Sequence, residues 1–159
     1  MKATNALVAL CLVLAAAGAV GCTAARAPEA ASATVAEPLA PTHEQVWQLV
    51  EMRGRKVERS LAAVTLVVNP QAGTVKGQGA CNGYYADCRL RWTATDQEGH
   101  HYSLRLENVG SHDRQCPDAE MNADARYLAL LAKADGLVLT PTTLVLFQKE
   151  RPLLKYELL

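Results

Sequence analysis

The sequence predicts an α+β domain: a curved antiparallel β-sheet, or a partial barrel, packed on a single α-helix. Three observations lead there. Short runs rich in β-branched or alternating residues recur between turns that carry Gly, Pro and Asn. One segment alone, Pro117 to Ala134, places apolar residues at convincing helical spacing. That segment stands between two runs of strands, an order that belongs to α+β folds and not to alternating βαβ units.

The chain ahead of this domain has a different character. Met1 and Lys2 give a short positive start, Ala6 to Val20 are nearly all apolar, and Ala19-Val20-Gly21 put small residues before Cys22. Such a pattern describes a secretory signal over residues 1–21. The apolar run is about 18 residues, at the lower edge of spanning length, so an uncleaved anchor helix and a plain cleaved signal are the alternatives. A cysteine directly after the small residues resembles a bacterial lipobox, in which the thiol of Cys22 is acylated and becomes the first residue of the mature chain. Ala19 stands where lipoboxes usually carry Leu. Thr23, not Asp, follows Cys22. By analogy with lipoprotein sorting in diderm bacteria, that directs the protein to the outer membrane, facing the periplasm. The membrane, reached through the lipid on Cys22, is then the first expected partner.

Residues 22–42 read as the acylated cysteine and a disordered tether. Ala, Pro, Ser, Thr and Glu dominate Thr23 to Thr42, and Pro28, Pro38 and Pro41 oppose regular structure. Too little large apolar surface is present to offset the entropy of ordering. About 20 such residues span on the order of 25 Å, enough to hold a domain clear of lipid headgroups.

Residues 43–159 are long enough for one compact domain with its own core. Val46 to Met52 fits a first strand, and Arg53-Gly54-Arg55-Lys56 a polar turn. Ala62 to Val68 is dense in β-branched residues and reads as a strand. Asn69 to Gly73 is a turn with both Pro and Gly, and Thr74 to Gly77 returns as the second arm of a hairpin. Tyr84 to Trp92 and His101 to Leu106 alternate apolar and polar residues, as half-buried antiparallel strands do. Asp96 to Gly99 turns between them.

The helix opens with Pro117 at a position that suits proline, and Asp118 and Glu120 complement its positive end. Met121, Ala125, Leu128 and Leu131 fall on one face, widened by Tyr127, Leu130 and Ala134. Gly136 is expected to stop it. Leu137 to Leu139, Leu144 to Gln148 and Leu153 to Leu158 close the chain as strands, with Pro141 and Pro152 in the turns.

Charge excludes one class of partner. The chain carries 16 Lys and Arg against 16 Asp and Glu, with no basic block or aromatic–basic interleaving. Nucleic acid is therefore not an expected partner, and electrostatic steering to a membrane or polyanion is weak.

Two segments carry a family resemblance. Gly77, Cys81, Asn82 and Tyr84 match a Gly-x-x-x-Cys-Asn-x-(Phe/Tyr) turn, in which glycine supplies positive φ and Asn bonds the local backbone. Trp47 and Leu49 match an opening Trp-x-Leu, Cys116 a second cysteine, and Met121, Tyr127, Leu128 and Leu131 the helix that follows. In this order and spacing the chain resembles the META domain, the family of the heat-shock-associated lipoprotein HslJ. His112 stands in the usual Thr position, Asp124 in a usual Glu position and Ala86 in a common Gly position.

The resemblance implies a Cys81–Cys116 disulfide, in keeping with an oxidising envelope compartment. Cys88 is then a buried free thiol, or else the true partner of Cys81 or Cys116. The resemblance brings no established catalytic activity and no cofactor. It implies a role in protein interaction, with a possible envelope protein as partner, or in envelope-stress protection. The alternative is an inhibitor or small-ligand binder of the lysozyme-inhibitor kind.

Other groupings carry less. Cys81, Cys88, His112 and Cys116 have the donor types for zinc or copper(I) but lack close CxxC spacing, so no metal is expected. Ser111-His112-Asp113 has triad composition, yet consecutive side chains cannot align as nucleophile, base and orienter. Tyr84, Tyr85, Trp92 and Tyr102 read as core packing, or as an exposed aromatic surface for a partner.

Overall fold

The computed structural model describes residues 40–57 and 64–159. The signal, the lipidation site Cys22 and the tether as far as residue 39 lie outside the described residues. So does Ala62-Ala63 at the start of an expected strand. Pro41, which composition assigns to the tether, is fully buried, so the packing of the domain reaches back to it. No described helix is long and apolar enough to cross a membrane.

Among the described residues, nine strands and one helix follow in chain order: β1 (Trp47–Met52), β2 (Arg55–Lys56), β3 (Thr65–Asn69), β4 (Thr74–Gln78), β5 (Gly83–Thr95), β6 (His100–Ser111), α1 (Asp118–Leu131), β7 (Gly136–Leu139), β8 (Thr143–Gln148) and β9 (Arg151–Leu158). Consecutive strands pair antiparallel from β3 to β9. β1 pairs with β3 on one side and β9 on the other, with Trp47 opposite Leu66 and also opposite Leu158. The sheet is therefore a closed eight-stranded barrel, not the curved sheet or partial barrel expected from the sequence. Closure removes the free edges that an open sheet would leave at β1 and β9. The two-residue β2 hangs on β1 through Arg53 and Gly54, at φ 50° and 73°, where a polar turn was expected. Two central residues at positive φ suit the right-handed twist of a tight hairpin.

Alternation fills the interior. Trp47 and Leu49 of β1, Leu66 and Val68 of β3, Tyr84, Ala86 and Cys88 of β5, and Leu144 and Leu146 of β8 all point into one core. Each fully buried aliphatic side chain contributes about 1.5–3 kcal/mol relative to exposure. α1 adds Tyr127, Leu130 and Leu131 to the same core. Its buried face is rotated from the expected one. Ala123, Asp124, Tyr127, Leu130 and Leu131 are buried, whereas Met121 is 38% exposed and Ala125 lies at the surface. α1 ends at Leu131 with Ala132 still right-handed, and Gly136 opens β7 instead of stopping the helix.

The hairpin β5–β6 is longer than the alternation suggests and runs obliquely. β5 pairs with β4 only over Gly83–Asp87, and β6 pairs with β7 only over His100–Ser103. Each long strand thus outruns one neighbour.

Candidate functional site

The turn between β4 and β5 and the first turns of α1 form one clasp. Asp124 is 6% exposed and is the buried charged residue of the core. Its carboxylate accepts the backbone N–H groups of Ala80 at 2.5 Å, Cys81 at 3.2 Å and Asn82 at 2.8 Å. Successive backbone N–H groups aimed at one point make an anion-binding nest, here closed on a carboxylate of the same chain. Such charge-assisted bonds satisfy the buried charge and fix the turn on the helix.

Glycine has a specific reason at two positions. A Cβ on Gly79 would stand 2.3 Å from Asp124 Oδ1, and one on Gly77 would stand 2.0 Å from the Thr65 carbonyl oxygen. Neither residue has positive φ. Close approach, and not the left-handed freedom expected from the sequence, requires glycine there.

Asn82 is structural: its Nδ2 reaches the neighbouring Cys81 Sγ at 3.2 Å, but the backbone it bonds is not that of the turn. Its side chain accepts the Arg114 N–H at 2.8 Å and donates to the Arg114 carbonyl at 3.3 Å, mimicking a strand's backbone pairing 32 residues away. The disulfide joins Cys81 to Cys116 beside it, with Cα atoms 6.1 Å apart and a sequence separation of 35. A loop of that size contributes about 3–4 kcal/mol through the unfolded chain. Among the described residues Cys88 is the free, buried thiol, and burial pushes its pKa up to about 11. It is therefore a poor nucleophile.

Tyr84 starts a buried chain of hydroxyls. It bonds the Thr65 carbonyl at 2.6 Å, meets Tyr127 Oη at 2.6 Å, and Tyr127 meets Tyr156 Oη at 3.0 Å. The carbonyl can only accept, so the donors run Tyr156 to Tyr127 to Tyr84 to Thr65, and every proton is used. Burial is the largest cause that raises all three phenols well above the ordinary tyrosine range. The sequence reading placed Asp124 at a family position without giving it a role, and gave Tyr156 none beyond its strand. The readable signal was Asp124, Tyr127 and Leu131 at i, i+3 and i+7 on one helix face.

The remaining candidates separate. Ser111, His112 and Asp113 are all exposed. His112 touches the Tyr85 ring edge-on, with centroids 6.4 Å apart. Among the described residues no group of His, Cys, Asp and Glu is placed to hold a metal ion. His101 Nε2 lies 2.9 Å from Asp96 Oδ1, and with the Glu98 N–H this holds the Asp96 carboxyl below its usual range. That pair ties the β5–β6 tip. Beside it lies a groove of about 390 Å³ lined by Thr93, His101, Ser103, Val138, Phe147 and Lys149. The aromatic set divides: Tyr84 and Tyr102 are buried, while Tyr85 and Trp92 are 53% and 48% exposed.

Comparison with known proteins agrees with this architecture. The family model described as META domain matches residues 38–157. An NMR structure of a protein from Burkholderia xenovorans is 16% identical, covers 84% of this chain and 97% of its own, and superposes with a TM-score of 0.53. That likeness shows the fold. A second NMR structure is 15% identical and covers 74% of this chain and 91% of its own, at a TM-score of 0.49. No curated protein matches.

Proposed function

The chain belongs to the META domain family, and from that premise we propose a non-catalytic envelope lipoprotein that acts by protein interaction or envelope-stress protection. The family match over residues 38–157 carries the reading. The lipobox-like Cys22 supports anchoring at the outer membrane. The disposition of the motif residues supports binding over chemistry. Cys81, Cys116, Asn82 and Asp124 are engaged in bonds inside the clasp.

With a charge-balanced chain, attachment rests on the acyl chains, and stable anchoring takes more than one. Cys22→Ser is expected to release the folded domain from the membrane fraction, read by fractionation with circular dichroism. Persistent attachment of that variant would favour an uncleaved helix. Affinity capture from envelope extract, with the Cys22→Ser form as bait, is expected to return one stoichiometric envelope protein. Turnover of a substrate by the purified chain would overturn the non-catalytic reading, and lysozyme inhibition would favour the inhibitor alternative.

A further inference from the structure

Past Cys88, β5 has no strand on its outer side among the described residues. The Cys88 N–H still reaches the Gly73 carbonyl, at 2.7 Å, but β4 starts at Thr74 and the chain turns away through Asn69–Gly73. Backbone direction alternates along a strand, so Leu90 and Trp92 aim their N–H and C=O groups the same way as Cys88. The opposite strand agrees. Leu104, paired with Leu90, sends its N–H away from β5 to the Asp135 carbonyl at 2.9 Å. Leu90 and Trp92 therefore present backbone donors and acceptors along an edge that no strand of the described residues pairs with.

The two faces beside that edge differ in chemistry. On the inner face, Leu90 is half-buried against the core and Trp92 is 48% exposed. On the outer face stand Arg89 and Arg91, with Arg105 directly opposite Arg89. Two like charges facing each other across a ladder are unfavourable unless compensated. Glu107 is the acid that compensates, 2.8 Å from Arg105 and 3.9 Å from Arg89, whose side chain is 78% exposed. Arg91 has no ion-pair partner among the described residues.

We infer that the Arg89–Trp92 edge of β5 binds an extended peptide segment by strand addition, one that alternates acidic and apolar side chains. The backbone of the added strand takes up the Leu90 and Trp92 groups. Its residues opposite Leu90 and Trp92 share their face, so apolar side chains there cover the indole. The intervening residues meet Arg89 and Arg91, which calls for Asp or Glu. This rests on the binding-module reading and names its partner chemistry. Arginines on an edge also serve to repel other strands, and Arg with Trp suits an anionic lipid surface. Both are outcomes of the test.

The probe is a short capped peptide alternating glutamate and valine, titrated into the full chain in detergent micelles. Tryptophan fluorescence reports it, because Trp47 is fully buried and the other of the two tryptophans is Trp92. A saturable blue shift is expected, lost in Trp92→Phe and weakened by added salt. Reversing both arginines, Arg89→Glu with Arg91→Glu, is expected to weaken binding roughly ten-fold with an unchanged unfolding midpoint. Methylating the valine nitrogens is expected to abolish it.

The inference is overturned if a control peptide of the same length with lysine in place of glutamate binds equally well, if the reversed variant binds as tightly, or if no shift occurs. No shift in any arm assigns the arginines to edge protection. Binding to anionic phospholipid vesicles without peptide binding assigns the surface to lipid. An envelope partner captured by the reversed variant as well as by the native chain would overturn this edge while leaving the binding-module reading intact.

Discussion

From Gly83 to Asp87, β5 pairs with β4, and its turn is held by Asp124, Asn82 and the Cys81–Cys116 bond; from Arg89 to Thr95 the same strand has, among the described residues, a strand neighbour on the β6 side only. Tyr84 of the family's turn motif lies in that first half, Cys81 and Asn82 in the turn leading into it and Gly77 on β4, and the polar groups of Tyr84, Cys81 and Asn82 bond within the chain. The second half carries arginines and an exposed indole that no family motif predicted. The difference teaches where to look for function. The motif marks how the barrel is closed onto its helix, and the unmarked half carries the groups proposed to meet a partner.

Substitutions at the clasp test this contrast most severely. Gly77→Ala would force a Cβ to within 2.0 Å of a backbone oxygen, which no side-chain movement relieves. Destabilisation above about 4 kcal/mol is expected, seen as loss of soluble folded protein or of the urea transition. Gly136→Ala is its control, because a Cβ there meets Phe147 Cβ at an ordinary 3.6 Å. Near-native behaviour of Gly77→Ala would break the account of the turn.

Asp124→Asn is the next in size. The amide keeps the shape but loses the charge, and its NH2 replaces one of the two acceptor oxygens, so that a donor faces either the Ala80 N–H or the Cys81 and Asn82 N–H groups. A cost of about 2–4 kcal/mol is expected from urea midpoints, against less than about 0.5 kcal/mol for Arg89→Ala on the exposed half. Equal effects from the two would erase the distinction between the regions.

Alkaline pH gives the smallest and most specific effect. The phenols of Tyr84, Tyr127 and Tyr156 are raised in the folded state, chiefly by burial. Folded protein holds these protons more tightly than unfolded protein, so their stabilising effect is complete below the unfolded tyrosine value of about 10. Stability then falls as pH rises past that value toward the folded pKa values, by up to about 1.4 kcal/mol per pH unit for each phenol. Urea midpoints measured from about pH 8 to about pH 11 are expected to stay level and then drop, with a shallower drop in Tyr127→Phe. A flat profile across that range would argue against the buried hydroxyl chain.

Much of the fold was legible because its signals are local. Alternation and turn residues located the strands, and one periodic segment located the helix. Barrel closure was not legible, since β1 pairs with β9 across the whole length of the domain. Helix phase was misread because hydrophobicity points to Met121 and Ala125, while the buried face carries Asp124, tolerated there through three backbone donors. The need for Gly77 was legible, but not its cause, since positive φ and close approach leave the same mark in a sequence. The Cys81–Cys116 pairing came from family resemblance alone. Asn82 was readable as structural, though nothing near it pointed to Arg114.

Native-state hydrogen exchange resolved by residue tests the central contrast most directly. The amides of Ala80, Cys81 and Asn82, bonded to a buried carboxylate, are expected to exchange only on global unfolding, with protection that tracks the stability of the whole domain as urea is added. Those of Leu90 and Trp92, on the open edge, are expected to exchange by local fluctuation and to ignore urea. Comparable exchange in the two groups would contradict the division of β5 into a closed clasp and an open binding edge.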